Sequence, residues 1–242
     1  MCKLAVIRHF WRFRQIDSTN SFGLQLSQIY PAQSYLIWTN QQTQGRGRQA
    51  RVWHAPAGSI CASLVFTCQV NEVSNPQVLN LLAALAVCEL LEAKSKAKIS
   101  IKWPNDVYLK GKKLGGILSE AKWKGNIARI VIGIGLNLNV SEFPPGLSEQ
   151  AVSWLLVTGQ KYEELIFLRK LAKYFEDMFV ASQAEGIQIL LARMRAKCHT
   201  LDSHIIHLDK NKELTYKAVD IAEDGSLVVL TQNKQRINLY DS

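Results

Sequence analysis

Residues 76–94 read PQVLNLLAALAVCELLEAK, apolar at helical spacing behind an Asn75-Pro76 start. A helix of this kind is a packing element, and short strand patterns stand on both sides of it. Residues 4–16 read as a strand that ends at IDSTN, where Asp17 or Ser18 can cap a helix running to about Ile29. Pro31 breaks that helix, 34–39 (SYLIWT) is a short buried strand, and 59–66 is another. After the apolar helix come strands at 99–102, 107–110, 113–121 and 128–140, with tight turns at Gly111 and Lys124-Gly125-Asn126. PPG at 144–146 marks a break before a helical region over about 149–197. From about Ser203 the pattern alternates, with a turn at Glu223-Asp224-Gly225, and reads as a small β-barrel of about 40 residues. The order of elements predicts an α+β fold, a mixed sheet with helices over 1–197 and a small β domain over 198–242. A chain of 242 residues, 48% hydrophobic and 20% charged, is long enough for one sizeable core with a satellite.

The net charge of +9 is unevenly placed. Up to Asn71 there is one acid, Asp17, against Lys3, Arg8, Arg12, Arg14, Arg46, Arg48 and Arg51, so +6 of the excess sits in under a third of the chain. That favours an anionic partner, either nucleic acid or a phosphate-bearing small molecule. Five scattered cysteines without a CxxC pair predict reduced thiols and a cytoplasmic location. The start reads as a strand rather than a signal peptide, and no apolar run approaches the roughly 20 residues that span a bilayer. Walker A and HExxH patterns are absent. A zinc site from Cys198, His199, His204 and His207 is set aside, because His204 and His207 would face opposite sides of a strand.

Three stretches carry chemistry. In 42–53, QTQGRGRQARVW, Gly45 and Gly47 can expose backbone N–H groups while Arg46 and Arg48 supply fixed forked charge. This is either a solvated basic loop or a loop, mobile when empty, that closes on an anion. In 101–118, IKWPNDVYLKGKKLGGIL, two strand ends facing one cleft could bring a lysine to a phosphate and a carboxylate to a nucleophile or metal. The alternatives are a hairpin with solvated lysines and, at Asn105-Asp106, a turn. Gly115-Gly116 suits a ligand packed on bare backbone. In 130–139, IVIGIGLNLN, Gly133 and Gly135 fall on one face of a strand and clear space beside it.

Taken together, DSTN (17–20), QTQGRGRxxRxW (42–53), KWPNDVYL (102–109), KKLGGIL (112–118) and IGIGLN (132–137) resemble the biotin–protein ligases in order and spacing over about 15–140. The resemblance implies a seven-stranded mixed sheet related to class II aminoacyl-tRNA synthetase cores, with a small C-terminal SH3-like β-barrel. It implies a two-step reaction. Biotin's carboxylate attacks the α-phosphate of ATP, with Mg²⁺, to give biotinyl-5′-AMP and pyrophosphate; a lysine of a biotin carboxyl carrier protein of acetyl-CoA carboxylase then attacks the anhydride. By resemblance Ser18, Thr19, Asn20, Gln42, Gly45, Arg46, Gly47, Arg48, Trp53, Lys113, Gly115, Gly116 and Asn137 bind biotin or biotinyl-AMP. No residue is assigned as a metal ligand. Arg48 and Lys113 are the catalytic cations that screen the two approaching anions. Asp106 is a helper for the incoming lysine amine, whose free pKa is near 10.4, or a structural turn carboxylate; the two readings stand level.

Where the family commonly has Arg-Gly after the second arginine, this chain has Gln49-Ala50, one cation and one hinge fewer. DSTN begins at residue 17, which leads us to expect a monofunctional ligase without a winged helix-turn-helix, a monomer or weak homodimer, with no specific DNA or membrane partner. The competing readings are a lipoate or octanoate ligase of the same fold and a basic nucleic-acid-binding module.

The charge predicts DNA binding that is weak and carried by phosphate contacts. In a gel shift it should fade steeply between about 50 and 200 mM salt. A salt-resistant preference for one sequence would overturn this.

Overall fold

The apolar helix is the packing centre. In a computed structural model that describes residues 7–72, 75–209 and 212–240, it is α2 (Pro76–Glu92), capped by Asn75, whose side chain accepts from the Gln77 N–H. Leu79, Leu81, Leu82, Leu85, Cys88 and Leu91 are fully buried along it, so the helix is covered on nearly every side. One cover is a seven-stranded sheet of β1 (His9–Phe13), β2 (Tyr35–Thr39), β3 (Ile60–Gln69), β4 (Ile99–Lys102), β5 (Asp106–Leu109), β6 (Lys112–Lys124) and β7 (Ile127–Leu136), in the order β1-β2-β3-β7-β6-β5-β4. Strand β1 runs parallel to β2 and the other pairs are antiparallel, so the sheet is mixed.

Helix α1 (Thr19–Ile29) packs on the opposite face, where Leu24 and Leu26 meet Tyr35, Ile37, Val65 and Val131. Its Gly23 allows the close approach, since a Cβ there would lie 2.8 Å from Val65 Cγ2. The expected helical region is three helices, α3 (Trp154–Thr158), α4 (Glu164–Glu185) and α5 (Gln188–Lys197). Two glycines with positive φ make the breaks: Gly159 (69°) caps α3 and Gly186 (84°) caps α4. The first strand is shorter than expected; residues 1–6 lie outside the described set. Strand β7 ends at Leu136 rather than Val140, because the next backbone N–H groups leave the ladder, Asn137 for Leu114 and Asn139 for Gly58.

The C-terminal strands β8 (His204–Asp209), β9 (Lys212–Ile221), β10 (Leu227–Leu230) and β11 (Arg236–Leu239) form an antiparallel sheet in the order β11-β10-β9-β8. Among the described residues its edge strands do not pair with each other. The sheet is therefore open where a closed small barrel was expected: alternation specifies strands, whereas closure depends on strand number and stagger. Ala218, Ile221, Leu227, Val229 and Leu239 continue the apolar cluster of the main sheet. The Trp103 indole N–H donates to the Gly225 carbonyl at 3.0 Å, and its backbone N–H to Thr200 Oγ1 at 2.9 Å. Among the described residues no helix is long and apolar enough to cross a membrane.

Gly225 sits at φ 83°, and a Cβ there would lie 2.9 Å from the Val78 nitrogen. Gly225→Ala should therefore destabilise the protein by about 1–3 kcal/mol, seen as a lower urea midpoint at unchanged slope.

Candidate active site

The start of α1 and the arginine-bearing loop are held side by side by backbone bonds. The Thr43 N–H donates to the Ile16 carbonyl at 3.0 Å and the Gln44 N–H to that of Asp17 at 2.9 Å. Gln42 Oε1 then accepts from the Thr19 backbone N–H at 2.7 Å and from Thr19 Oγ1 at 3.2 Å. Ser18 caps α1, its hydroxyl oxygen accepting from the Ser21 N–H. Thr19 and Asn20 are buried beside Ser63 of β3, whose Oγ lies 2.8 Å from Thr19 Oγ1 and 2.7 Å from Asn20 Oδ1. The result is an uncharged nest of hydroxyls and amides.

The loop itself is more ordered than its composition suggests. Trp53 N–H donates to the Gly45 carbonyl at 3.0 Å, Gly47 N–H to Arg51 at 2.7 Å and Arg51 N–H to Arg48 at 3.0 Å. These bonds make a miniature hairpin. Its two turn residues, Gln49 and Ala50, both have positive φ, 52° and 58°. Such a turn suits Asn-Gly, and each left-handed non-glycine residue costs roughly 1–2 kcal/mol. Arg46 is paired with Glu120 at 3.0 Å, and Arg48 Nη1 donates to Asn105 Oδ1 at 3.1 Å. Burial holds the Arg48 guanidinium below its ordinary pKa; Asp106 opposes that shift and Arg51 adds to it.

The third wall is the β5–β6 hairpin. Asp106 lies opposite Gly116 in register, and Lys113 Nζ reaches Asp106 Oδ1 at 2.7 Å. A Cβ at Gly116 would stand 3.1 Å from that same oxygen, so the bare backbone leaves room for the pair. Lys112 points elsewhere, donating to the Ser148 carbonyl at 2.8 Å. Asn105 is a buried pin whose Nδ2 donates to the Ile117 carbonyl at 2.7 Å.

These walls enclose a cavity of about 310 Å³. Of the residues singled out in the sequence, Ser18, Thr19, Asn20, Gln42, Arg46, Gly47, Arg48, Trp53, Asp106, Lys113 and Gly116 line it. Gly45, Gly115 and Asn137 do not, for physical reasons. A Cβ at Gly45 would meet the Trp53 carbonyl at 2.6 Å, and one at Gly115 the Gly135 carbonyl at 2.6 Å, so both glycines serve backbone packing. Asn137 is buried behind the sheet, with Nδ2 donating to the Val152 carbonyl and Oδ1 accepting from Ser59 Oγ, both at 3.3 Å.

The cavity also has linings to which the sequence assigned no role, among them Arg51 and Trp103, which lie within the motifs, and Cys61, which lies outside them. Ser63 and Glu120 stand just behind it. Ser63 pairs directly with Gly133 across β3 and β7, a signal readable only once the register is known. Burial pushes the Cys61 thiol up to about 12, so it is no nucleophile at neutral pH. Among the described residues, five cations (Arg46, Arg48, Arg51, Lys102 and Lys113) and one carboxylate, Asp106, line the space. Among the described residues no three metal-ligating side chains gather. The arrangement can hold an extended molecule with a neutral, hydrogen-bonding head and an anionic tail.

The chain is similar to known proteins over most of its length. Residues 12–137 match the model of the biotin/lipoate A/B protein ligase family. The chain is 31% identical over 221 residues to the bifunctional ligase/repressor BirA of Bacillus spizizenii, covering 90% of this chain and 68% of that one. It is 31% identical over 200 residues to the biotin–[acetyl-CoA-carboxylase] ligase of Mycobacterium tuberculosis, covering 79% and 71%. Among solved structures, the biotin protein ligase from Aquifex aeolicus in complex with biotin and ATP matches with a TM-score of 0.82 at 26% identity over 96% of each chain.

The left-handed turn yields a test that needs no ligand. Ala50→Gly should relieve strain at the loop tip by a net of about 0.5–1 kcal/mol. Tryptic cleavage after Arg48 and Arg51 should slow by roughly twofold to fivefold; faster cleavage would contradict the turn.

Proposed function

The chain belongs to the biotin/lipoate A/B protein ligase family, and on that premise we infer that it is a biotin–protein ligase: it activates biotin with ATP to biotinyl-5′-AMP and passes the biotin to a lysine of the biotin carboxyl carrier protein. The observation that carries this reading is the lining of the cavity, where the neutral hydroxyls and amides of Ser18, Thr19, Asn20 and Gln42 stand with five cations and one carboxylate among the described residues. Biotin's ureido ring offers two N–H donors and a carbonyl acceptor, which suit the amides and hydroxyls of Ser18, Thr19, Asn20 and Gln42. A lipoyl dithiolane has neither, and would make no hydrogen bonds to this polar lining.

In the first step a carboxylate must approach the α-phosphate, so two anions meet. Arg48 and Lys113 supply fixed positive charge from two different walls, already oriented by Asn105 and Asp106. Magnesium belongs to the proposal with ATP, whose phosphate charge it screens. The donor set fits an ion carried mainly by triphosphate and water, with Asp106 the one lining carboxylate to meet it. In the second step the attacking lysine arrives as an ammonium, passes one proton to the Asp106 carboxylate or to solvent, and its amine attacks the biotinyl carbonyl with AMP as the leaving group. Asp106 supplies the negative charge that draws the ammonium in. The division at about residue 198 into a catalytic domain and a small C-terminal domain is part of the same proposal.

The test is to mix the pure protein with biotin and MgATP and look for biotinyl-AMP by mass spectrometry; no adenylate would sink the reading. Lys113→Gln should slow biotin-dependent ATP–pyrophosphate exchange by about 10²–10³, as loss of one charge-stabilising donor does elsewhere, whereas Lys112→Gln should stay within about twofold. Equal losses would mean that Lys113 has no special place. Arg48→Ala should also cripple adenylate formation and let the adenylate escape faster, which a chase with unlabelled biotin would follow.

A further inference from the structure

Glu120 lies behind the cavity wall, yet it ties together two side chains that form it. Its Oε2 accepts from Asn20 Nδ2 at 2.7 Å and from Arg46 Nη2 at 3.0 Å, and its Oε1 accepts from the same Nη2 at 3.1 Å. The other Asn20 amide hydrogen goes to the Leu118 carbonyl at 3.1 Å. Both amide hydrogens are therefore spent on β6. Oδ1 is left pointing to Ser63 and to the bare backbone at Gly133, where a Cβ would approach it to 2.4 Å. Asn20 presents an acceptor, and only an acceptor, to whatever enters. The same carboxylate holds the first arginine of the loop hairpin, directly beside the Arg46–Val52 bridge that starts it.

We propose that Glu120 is a positioning residue with two separable duties, orienting Asn20 for recognition of the ligand's neutral head and holding the arginine loop closed. One carboxylate fixes Asn20 as an acceptor for a ureido N–H and, through Arg46, holds the base of the hairpin in its closed register before a ligand arrives. This rests on the ligase reading for the identity of the head. The latch on the loop rests on geometry alone.

Glu120→Gln separates the two duties. The amide oxygen still accepts from Asn20, but the charge that holds Arg46 is gone. In the ligand-free protein, tryptic cleavage after Arg48 and Arg51 should rise about twofold to fivefold, the range for a part-exposed ion pair. The dissociation constant for biotin, by calorimetry, should change by less than about twofold. Glu120→Ala removes both duties, so it should open the loop equally and also weaken biotin by about tenfold, leaving a buried amide donor unpaired. Arg46→Gln should open the loop as much as Glu120→Gln, and the double variant no further.

Glu120→Gln cleaved at the wild-type rate, an additive double variant, or equal loss of biotin affinity in Glu120→Gln and Glu120→Ala would each overturn the proposal. If a thermal melt shows that Glu120→Ala does not fold, the cycle of Glu120→Gln and Arg46→Gln decides. A wild-type protein that binds no biotin sinks the ligase reading, while the cleavage cycle still reports on the latch.

Discussion

A Cβ at Gly133 would stand 2.4 Å from Asn20 Oδ1, and one at Gly135 would stand 2.4 Å from Trp53 Cε2. Those two overlaps set the depth of the site. Strand β7 runs through the middle of the sheet, between β3 and β6, and its two glycines strip side chains from the strip of backbone that forms the cavity floor. The start of α1 can then settle close enough for Asn20 to reach β6, and the loop can lay Trp53 flat on the sheet. Side chains at either glycine would lift both elements away, and the walls would no longer converge.

What the floor allows, the charges use. The loop brings Arg46, Arg48 and Arg51, and the β5–β6 hairpin brings Lys113 with Asp106. The ion pairs that tether them are part-exposed, with side-chain exposures of 45% and 25% for Arg46–Glu120 and 35% and 23% for Lys113–Asp106. Pairs of that kind contribute about 0.2–1 kcal/mol each. They are comparable to, or smaller than, the strain of the left-handed Gln49-Ala50 turn. The closed hairpin is therefore held mainly by its backbone bonds and sits near balance. An entering anion that offers Arg48 and Lys113 stronger partners can shift that balance without rebuilding the sheet.

Balance of that sort suits a site that must retain a reactive intermediate and later admit a large partner. A rigid lid would block the incoming lysine, and an unstructured loop would forfeit roughly 1–2 kcal/mol of ordering entropy per residue at each turnover. A hairpin pre-formed by local hydrogen bonds and closed by weak ion pairs lies between these limits.

Local rules settled much of this protein in advance. A Ser18 cap, an Asn75-Pro76 start, apolar spacing and turn residues at Gly111 and Gly125 place α1, α2 and the β5–β6 and β6–β7 hairpins, because each depends on neighbours within a few positions. The split of 149–197 into three helices was legible only weakly, since a lone glycine does not announce its φ. That the C-terminal sheet stays open was not legible at all, because closure depends on strand number and stagger between strands. In the site, residue types and motif order singled out segments that the fold gathers around one cavity, and Lys113 and Lys112 reach different partners, Asp106 and Ser148. Strand parity could not separate Gly116, which faces the ion pair, from Gly115 and Asn137, which serve the packing behind it. Nor could it find Glu120 or Ser63, which become site residues only when β3, β6 and β7 are placed in register and α1 is pressed onto them. Sequence by itself determined the elements and the chemistry available. The tertiary structure alone decided which atoms come within 3 Å of one another, because those distances follow from register and close packing between segments far apart in the chain.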